Sequence, residues 1–277
     1  MRRLWLPVLC LFAILRVPVR AQTAPEEDLR KGVNFIVTRV YSEAENARLL
    51  KLYEGLRVAD VTDGLDMAGL PGVGLVDQSI HPAWQDPDSL RHQFHGIALT
   101  LRYVPTQRPD RPGPGEDFSE WEGAWYGNYS SEAFVSIIQP GTAIVIDDAG
   151  ERDIGSIGSN NILKWYEKGA AGVVTDASSR DVDEVGKEKV PLYLRRVGRG
   201  IRPGRNELES VNRPVDIGGG LVCPGDMLVA DGDGVVVVPR AAAEQVALYA
   251  RKILDGDKEG RRKVYERLGL PLDQTVK

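Results

Sequence analysis

The fold is decided by residues 159–181, which read SNNILKWYEKGAAGVVTDASSRD. Residues 160–169 have the apolar spacing of a helix, with Ser and Asn as candidate caps in front and a glycine behind. The apolar run at 171–176 that follows is typical of a buried strand. Since a helix leads directly into a buried strand, the segment predicts an α/β domain with parallel strand pairing.

Further strands are predicted on both sides of this unit. Residues 140–148 (PGTAIVIDD) and 224–232 (PGDMLVADG) each have a Pro-Gly turn that leads into a strand ending in aspartate. The second continues through Asp233 and Gly234 into four valines, which predicts a hairpin with a type I′ turn. Together with a strand at 95–101, these segments indicate a common sheet or barrel.

Helices are predicted at both ends of the mature chain. Residues 26–56 have helical apolar spacing, a further helix begins in 58–66, and residues 241–269 form a charged C-terminal helix. Between these elements, residues 105–125 are rich in Pro, Gly and acidic residues, which predicts a loop insertion. Its aromatic residues either cover a neighbouring surface or the mouth of a site, or pack within the loop itself.

The N-terminus has the layout of a secretory signal. Two arginines precede a short apolar run, and small residues surround a cleavage point after Ala21. The run is too short for a comfortable membrane span, so residues 1–21 are predicted to be removed during export to a periplasm or beyond. A single domain at 22–277 remains, without a membrane span. It keeps Cys223, which reads as a buried structural thiol, and loses Cys10, so no intrachain disulfide is expected.

The charge balance argues against nucleic acid as a partner. The formal net charge is −5, and no block of like charges interrupts an otherwise ordinary globular composition. A nucleic-acid-binding domain usually carries a basic patch or stripe. We therefore do not expect nucleic acid as a partner.

Candidate chemistry lies around the start of the predicted helix. The loop at 149–158 enters a helix near Ser159, where free backbone N–H groups can bind an anion. Its glycines match neither a dinucleotide fingerprint nor a Walker loop, so a small carboxylate fits better than a nucleotide. The following strand delivers Arg180 as a carboxylate clamp, Asp181 as a ligand for a hard divalent cation, and Glu184 as a holder of a metal-bound water. The alternative is a solvated Arg-Asp-Glu turn without function.

In order and spacing, these segments together resemble the RraA-like family. That family includes 4-hydroxy-4-methyl-2-oxoglutarate aldolases and the regulator of ribonuclease E activity that names it. The resemblance covers most of the mature chain, with 105–125 as an extra segment. The matching parts are 59–66, Gly158, 169–176, Arg180-Asp181-x-x-Glu184, 224–226 and 231–239.

The resemblance implies a swivelling α/β/β sandwich with N- and C-terminal helices. It also implies a homotrimer or a dimer of trimers, with sites between subunits. Arg180 is then the substrate clamp, and Asp181 is the direct ligand of Mg²⁺ or Mn²⁺; these two are the expected catalytic residues. The carboxylate of a pyruvate-like substrate is expected on the backbone groups of Gly158, Ser159, Asn160 and Asn161.

The implied activity is that of a metal-dependent lyase acting on a small 2-oxo acid. Retro-aldol cleavage of 4-hydroxy-4-methyl-2-oxoglutarate and decarboxylation of oxaloacetate share a pyruvate enolate, so one site can serve both. This chain has Ser159 where aldolase members have an acidic residue, which weighs against full aldolase activity. A further carboxylate is expected from a neighbouring subunit's C-terminal helix, with Asp257 and Glu259 as candidates. The alternative is a non-catalytic, ring-shaped regulatory protein.

Overall fold

The computed structural model describes residues 24–109, 111–148 and 153–277. They belong to two compact units, one that ends at Val37 and one that runs from Thr38 to Lys277. The predicted signal segment lies outside the described residues, as does 149–152 of the predicted anion loop. Within the described ranges, no helix is both long and apolar enough to cross a membrane.

The helices begin and end where local sequence favours it. Ser42 caps the second helix by accepting a hydrogen bond from the Glu45 N–H, and the Glu45 carboxylate accepts one from the Ser42 N–H. The last helix ends at Gly269, whose φ of 65° suits glycine. The first unit contributes α1 (Glu26–Lys31); the second contributes α2 (Glu43–Tyr53), α3 (Val58–Met67), α4 (Phe118–Asn128), α5 (Ser159–Glu167), α6 (Val182–Glu188), α7 (Ala243–Leu268) and a 3₁₀ turn (Ala133–Ile137).

In the described ranges, ten strands form one large sheet and one small one. The large sheet has the order β1-β5-β4-β3-β2-β9-β10, with β6 also paired to β2, and β7 pairs with β8. Strands β2 to β5 are parallel to one another, as the sequence predicts. The strands are β1 (His81–Pro82), β2 (Phe94–Pro105), β3 (Thr142–Asp147), β4 (Ala170–Ser179), β5 (Leu192–Val197), β6 (Asn206–Val211), β7 (Val215–Ile217), β8 (Gly220–Val222), β9 (Met227–Asp231) and β10 (Gly234–Val238).

The long strand β2 joins the parallel and antiparallel parts of the sheet. It pairs with β3 in parallel, while β9 and then β6 pair with it in antiparallel fashion at successive segments. A register shift between Arg102 and Tyr103 bends the strand at this change, as β-bulges do. The predicted α/β class with helices at both ends is confirmed.

The parallel strands are buried on both faces because their side chains alternate between two layers of core. On one face, Ile144 and Ile146 of β3 pack with Ile162 and Trp165 of α5. On the other face, Val145 belongs to a separate cluster that includes residues of β7 to β10. A third cluster holds α2, α3 and α7 against β9 and β10. The core therefore leaves the strand ends, rather than the strand faces, available for a site.

The predicted insertion is partly helical. Residues 118–128 form α4, capped by Asp117, whose carboxylate accepts hydrogen bonds from the N–H groups of Ser119 and Glu120. Aromatic pairs run along this helix, and Trp125 is buried. The loop prediction was wrong for this part because the Pro and Gly residues at 105–115 dominate the local composition, whereas the apolar stripe after them needs the sheet as a packing partner.

The β9–β10 hairpin is present, but its predicted type I′ turn is wrong. Asp231 pairs with Gly234, so the turn residues are Gly232 and Asp233. A type I′ turn needs positive φ at both central residues, whereas only Gly234, the residue after them, has a positive φ, of 120°. The positive φ therefore falls on Gly234, the residue that follows the two turn residues.

Candidate functional site

The candidate site lies at the carboxyl ends of the parallel strands. Residues after β3 run beside the end of β4 and beside a residue after β5, through parallel bridges from Ile157 to Ser179 and from Ile154 to Gly200. Because the strands are parallel, residues 155–158 before α5 and the Arg180-Asp181 pair after β4 meet at one edge of the sheet. We call residues 155–158 the glycine segment. The structure thus brings Arg180 and Asp181 together with the residues before α5.

Arg180 lies against the glycine segment. Its backbone N–H donates to the Ile157 carbonyl at 2.9 Å. A Cβ at Gly155 would come within 2.6 Å of the Arg180 Cβ, so the arginine stem fills the space that a side chain would need. The guanidinium end remains accessible, since 39% of the side chain is exposed. Gly155 is therefore required for the position that Arg180 takes.

Asp181 adopts a left-handed backbone conformation at the start of α6, with φ of 58°. Its Oδ2 accepts a hydrogen bond from the Ser159 N–H at 3.2 Å and lies 3.9 Å from the Arg180 Nε. A Cβ at Gly158 would lie 2.5 Å from the same oxygen. The carboxylate thus occupies a cradle that only a glycine leaves open, and 40% of its side chain is exposed.

The first turn of α5 differs from the predicted capping. The N-cap is Gly158, which has no side chain to cap with, and the Asp181 carboxylate takes this role from the next helix. Ser and Asn were wrong as caps because they lie inside the helix, where their backbone N–H groups face the site. Asn160 is exposed, whereas Ser159 and Asn161 are partly buried.

Glu132, which the sequence analysis did not identify, supports this turn. Its carboxylate accepts hydrogen bonds from the Asn161 side-chain amide and, at 3.2 Å, from the Trp165 indole N–H. The side chain of Asn161 is therefore engaged with Glu132. No local pattern marks Glu132, because it lies 29 residues before Asn161.

The remaining predicted acids lie apart from this pair. Glu184 is exposed on α6. On α7, Asp257 pairs with Arg57 at 2.9 Å and Glu259 pairs with Lys263 at 2.6 Å. Within the described part of the chain, no three His, Cys, Asp or Glu side chains group as metal ligands. Asp181 alone still fits Mg²⁺, because that ion is commonly held by one or two carboxylates and keeps several waters.

Two buried acids lie behind the site, and the sequence analysis did not assign them a role. The Asp148 backbone N–H donates to Asp176 Oδ1 at 3.1 Å. Burial raises the pKa of Asp148 to about 6, against the opposing effect of hydrogen bonds from Ser156 and Asn206. Burial likewise raises the pKa of Asp176 to about 6. Both carboxyls therefore titrate nearer to neutrality than an exposed aspartate does.

Comparison with known families and structures gives consistent matches. Residues 58–237 match the RraA-like family model, described as Aldolase/RraA. An uncharacterized protein from Pseudomonas syringae pv. tomato str. DC3000 is 26% identical, with a TM-score of 0.61 over 83% of this chain and 98% of that one. Streptomyces coelicolor RraAS2, described as an unusual member of the RNase ES inhibitor RraA protein family, is 22% identical, with a TM-score of 0.63 over 79% and 98%. At that identity the second likeness shows the fold alone.

Proposed function

The chain belongs to the RraA-like family, and on this premise we propose that it is a divalent-metal-dependent lyase for a small 2-oxo acid. The reaction is decarboxylation of oxaloacetate, retro-aldol cleavage of a 4-hydroxy-4-methyl-2-oxoglutarate-type substrate, or both. The single observation that carries the proposal is the meeting of Asp181, Arg180 and the start of α5 at one edge of the sheet.

The arrangement suits a carboxylate ligand. Arg180 presents a guanidinium that can bind a carboxylate through two parallel hydrogen bonds. In the first turn of α5, the Ser159 N–H donates to Asp181 Oδ2 and the Asn161 N–H donates to the Gly158 carbonyl at 3.2 Å, and the helix dipole adds positive potential there. A substrate carboxylate placed between Arg180 and residues 158–161 would have its charge matched from two sides. The same groups stabilise negative charge that develops on the substrate during bond cleavage.

Asp181 is the proposed ligand for Mg²⁺ or Mn²⁺, with water and substrate oxygens completing the coordination. A bound divalent cation would act as a Lewis acid on the 2-oxo group and so favour the pyruvate enolate left by cleavage. The protein's part is to hold Asp181 at a fixed place, which the left-handed backbone and the Gly158 cradle do. With Oδ2 held by the Ser159 N–H, the other carboxylate oxygen, Oδ1, would be the ligand of the cation.

Ser159 favours decarboxylation over aldol cleavage. Retro-aldol cleavage requires a base that removes the proton of the substrate's hydroxyl group, whereas loss of CO₂ from oxaloacetate requires none. In decarboxylation, the electron pair of the broken carbon–carbon bond forms the enolate, which then takes a proton to give pyruvate. A serine hydroxyl is a poor base at neutral pH, so we expect oxaloacetate to be the better of the two substrates.

The test is pyruvate formation by the purified mature protein. Oxaloacetate and 4-hydroxy-4-methyl-2-oxoglutarate are each assayed with Mg²⁺ and with a chelator. Arg180→Ala should lose at least about 100-fold in kcat/KM while remaining folded, because it removes a charge-assisted bidentate contact. Arg199→Ala is the matched control, since Arg199 is an exposed arginine paired with Asp153. The absence of metal-dependent pyruvate from both substrates would overturn the proposal.

A homotrimer or dimer of trimers is the proposed assembly, with sites between subunits. The assembly matters for the site because a neighbouring subunit would supply a further carboxylate, for which Asp257 and Glu259 remain the candidates. Light scattering on the purified protein measures the assembly. If Asp257→Asn and Glu259→Gln both retain full activity in the assembled protein, neither residue completes the site.

Export is the proposed route of the protein. It would place the mature chain outside the cytoplasm, after removal of residues 1–21. N-terminal sequencing of protein recovered from the periplasm or medium should begin at Gln22. Recovery of a chain that still begins at Met1 in the cytoplasm would contradict this.

The second candidate function is a non-catalytic, ring-shaped binding protein. Ser159 favours it, as does the lack of a multi-carboxylate metal cluster among the described residues. Calorimetric titration with Mg²⁺ separates the two functions. Asp181→Asn keeps a side chain that tolerates the left-handed conformation and removes only the charge. Saturable Mg²⁺ binding that this variant loses would refute the purely structural reading of Asp181.

A further inference from the structure

A buried polar network lies directly behind the candidate site. Asp148, which is 1% exposed, accepts hydrogen bonds at its Oδ2 from the Ser156 hydroxyl at 2.8 Å and from the Asn206 side-chain amide at 2.6 Å. Ser156 and Asn206 are themselves buried. Three segments, at the end of β3, before α5 and at the start of β6, are thereby held on one carboxylate oxygen.

The network reaches the insertion through α4. The indole N–H of Trp125 donates to the backbone carbonyl of Asn206 at 3.2 Å, and Trp125 is 3% exposed. At the end of the same helix, the buried Ser130 hydroxyl donates to the Asn206 Oδ1 at 3.5 Å. The side-chain amide of Asn206 therefore bonds Ser130 through its oxygen and Asp148 through its nitrogen, while its backbone carbonyl accepts from Trp125.

The network also reaches the candidate site through Ser156. The residues on either side of it are the two that contact Arg180. Gly155 packs against the Arg180 side chain, and the Ile157 carbonyl accepts the Arg180 N–H. The Ile157 carbonyl also accepts the Ser179 hydroxyl at 2.9 Å. A displacement of Ser156 would therefore move both surfaces on which Arg180 lies.

Arg202 provides the countercharge to this network. It is 2% exposed, its Nη1 donates to the Tyr103 hydroxyl at 2.9 Å, and its charge acts on Asp148. Among the described residues, its Nε and Nη2 have no hydrogen-bond partner, and neither does Asp148 Oδ1. A carboxylate buried with one oxygen unpaired costs free energy. The two bonds at Oδ2 and the Arg202 charge offset that cost, so the network is best explained by what it holds in place.

We propose that Asp148 is a positioning residue for the Arg180–Asp181 site, and that α4 completes its support by anchoring Asn206 through Trp125. The insertion is then an integral part of the site rather than a surface addition. The catalytic meaning of this inference rests on the proposed lyase function. The positioning itself does not, because it concerns only the order of the segment at 153–158 and of Arg180.

The test is hydrogen exchange measured by mass spectrometry on the full mature chain. Asp148→Ala and Ser156→Ala should each raise amide exchange about 5- to 10-fold in peptides that cover 153–161 and 177–182, as expected for loss of a buried hydrogen bond. Asp148→Asn should stay near the wild type, because its amide oxygen can accept both bonds. Trp125→Phe should raise exchange in the same peptides and around Asn206.

Tyr53→Phe is the matched control. It removes a buried hydroxyl whose hydrogen bond to the Ala243 carbonyl, at 2.8 Å, lies in a different core cluster. If Ser156→Ala and Asp148→Ala change exchange at 153–161 no more than this control does, the proposal is overturned. If Asp148→Ala does not fold, Ser156→Ala decides the question alone. Where the wild type is active, the variants should lower kcat more than they raise KM for Mg²⁺, and Asp148→Asn should restore kcat.

If the wild-type protein is inactive, the lyase proposal is overturned, but the hydrogen-exchange result still tests the positioning proposal. Conversely, if the wild-type protein is active and the variants show unchanged amide hydrogen exchange, the positioning proposal alone is overturned. The two failures are therefore distinguishable.

Discussion

The carboxylate of Asp181 accepts the backbone N–H of Ser159 at 3.2 Å, across the start of two different helices. One residue earlier, Gly158 leaves the space that this carboxylate fills. The proposed metal ligand and the proposed substrate-binding turn are thus in direct contact. A change at Gly158 should consequently be felt at Asp181.

Gly158→Ala tests this contact. The added Cβ would lie 2.5 Å from Asp181 Oδ2, and since that atom ends a partly exposed side chain, the carboxylate moves while the fold survives. We expect a 10- to 100-fold fall in kcat/KM for metal-dependent turnover, because small misplacements of a reacting group are costly. Gly256→Ala on α7 is the control, since no atom lies near its added Cβ. Unchanged turnover in Gly158→Ala would contradict the assigned role of Asp181.

Asn161→Ala separates backbone binding from side-chain binding. The Asn161 amide donates to Glu132, so its loss should lower the free energy of unfolding by about 1 kcal/mol. Activity should stay within about threefold, because the ligand is expected on backbone N–H groups that the variant keeps. Urea denaturation and steady-state kinetics measure the two effects. A large loss of activity at unchanged stability would show that the side chain itself binds the substrate.

Arg202→Met should be strongly destabilising. It leaves the buried Asp148 without its countercharge and Tyr103 without its hydrogen-bond partner. Loss of a hydrogen bond to a charged group, together with loss of the positive charge that acts on a buried carboxylate, should cost about 3 kcal/mol. Arg199→Met is the comparison, because the Arg199–Asp153 pair is exposed and should be worth less than about 1 kcal/mol. Equal losses in the two variants, measured by urea denaturation, would contradict the role of Arg202 as a countercharge to Asp148.

The stability of the protein should depend on pH through Asp148. Its pKa is raised from 3.8 to about 6 by burial, so the folded state binds the proton more readily than the unfolded state does. This contribution to stability is complete below pH 3.8 and is lost as the pH rises through about 6. The Asp148→Asn variant lacks this pH-dependent contribution to stability. The free energy of unfolding of Asp148→Asn, relative to wild type, should therefore rise by about 2–3 kcal/mol between pH 4 and pH 7.5.

Asp176, whose pKa is also raised to about 6 by burial, remains in both proteins and contributes to both curves. The difference between the two curves of unfolding free energy against pH therefore reports on Asp148. Parallel curves for wild type and Asp148→Asn, from denaturant titrations across this range, would show that Asp148 does not carry the pH dependence.

The family, the α/β class and the elements that carry the site could all be predicted from sequence. Apolar periodicity and glycine positions are local signals, and parallel strands bring the segments that follow them to one edge of the sheet. For that reason Gly158, Arg180 and Asp181 could be placed together from the sequence, and the structure brings them together.

The residues that support this edge of the sheet could be identified only from three-dimensional contacts. Asp148 and Asn206 are 58 residues apart, and Trp125 and Asn206 are 81 apart, so no local pattern links them. Burial of a carboxylate also has no sequence signature, because Asp148 at a strand end reads like any turn aspartate. The insertion shows the same limit, since α4 is ordered by packing Trp125 beneath it, and packing energy exists only once distant segments have met.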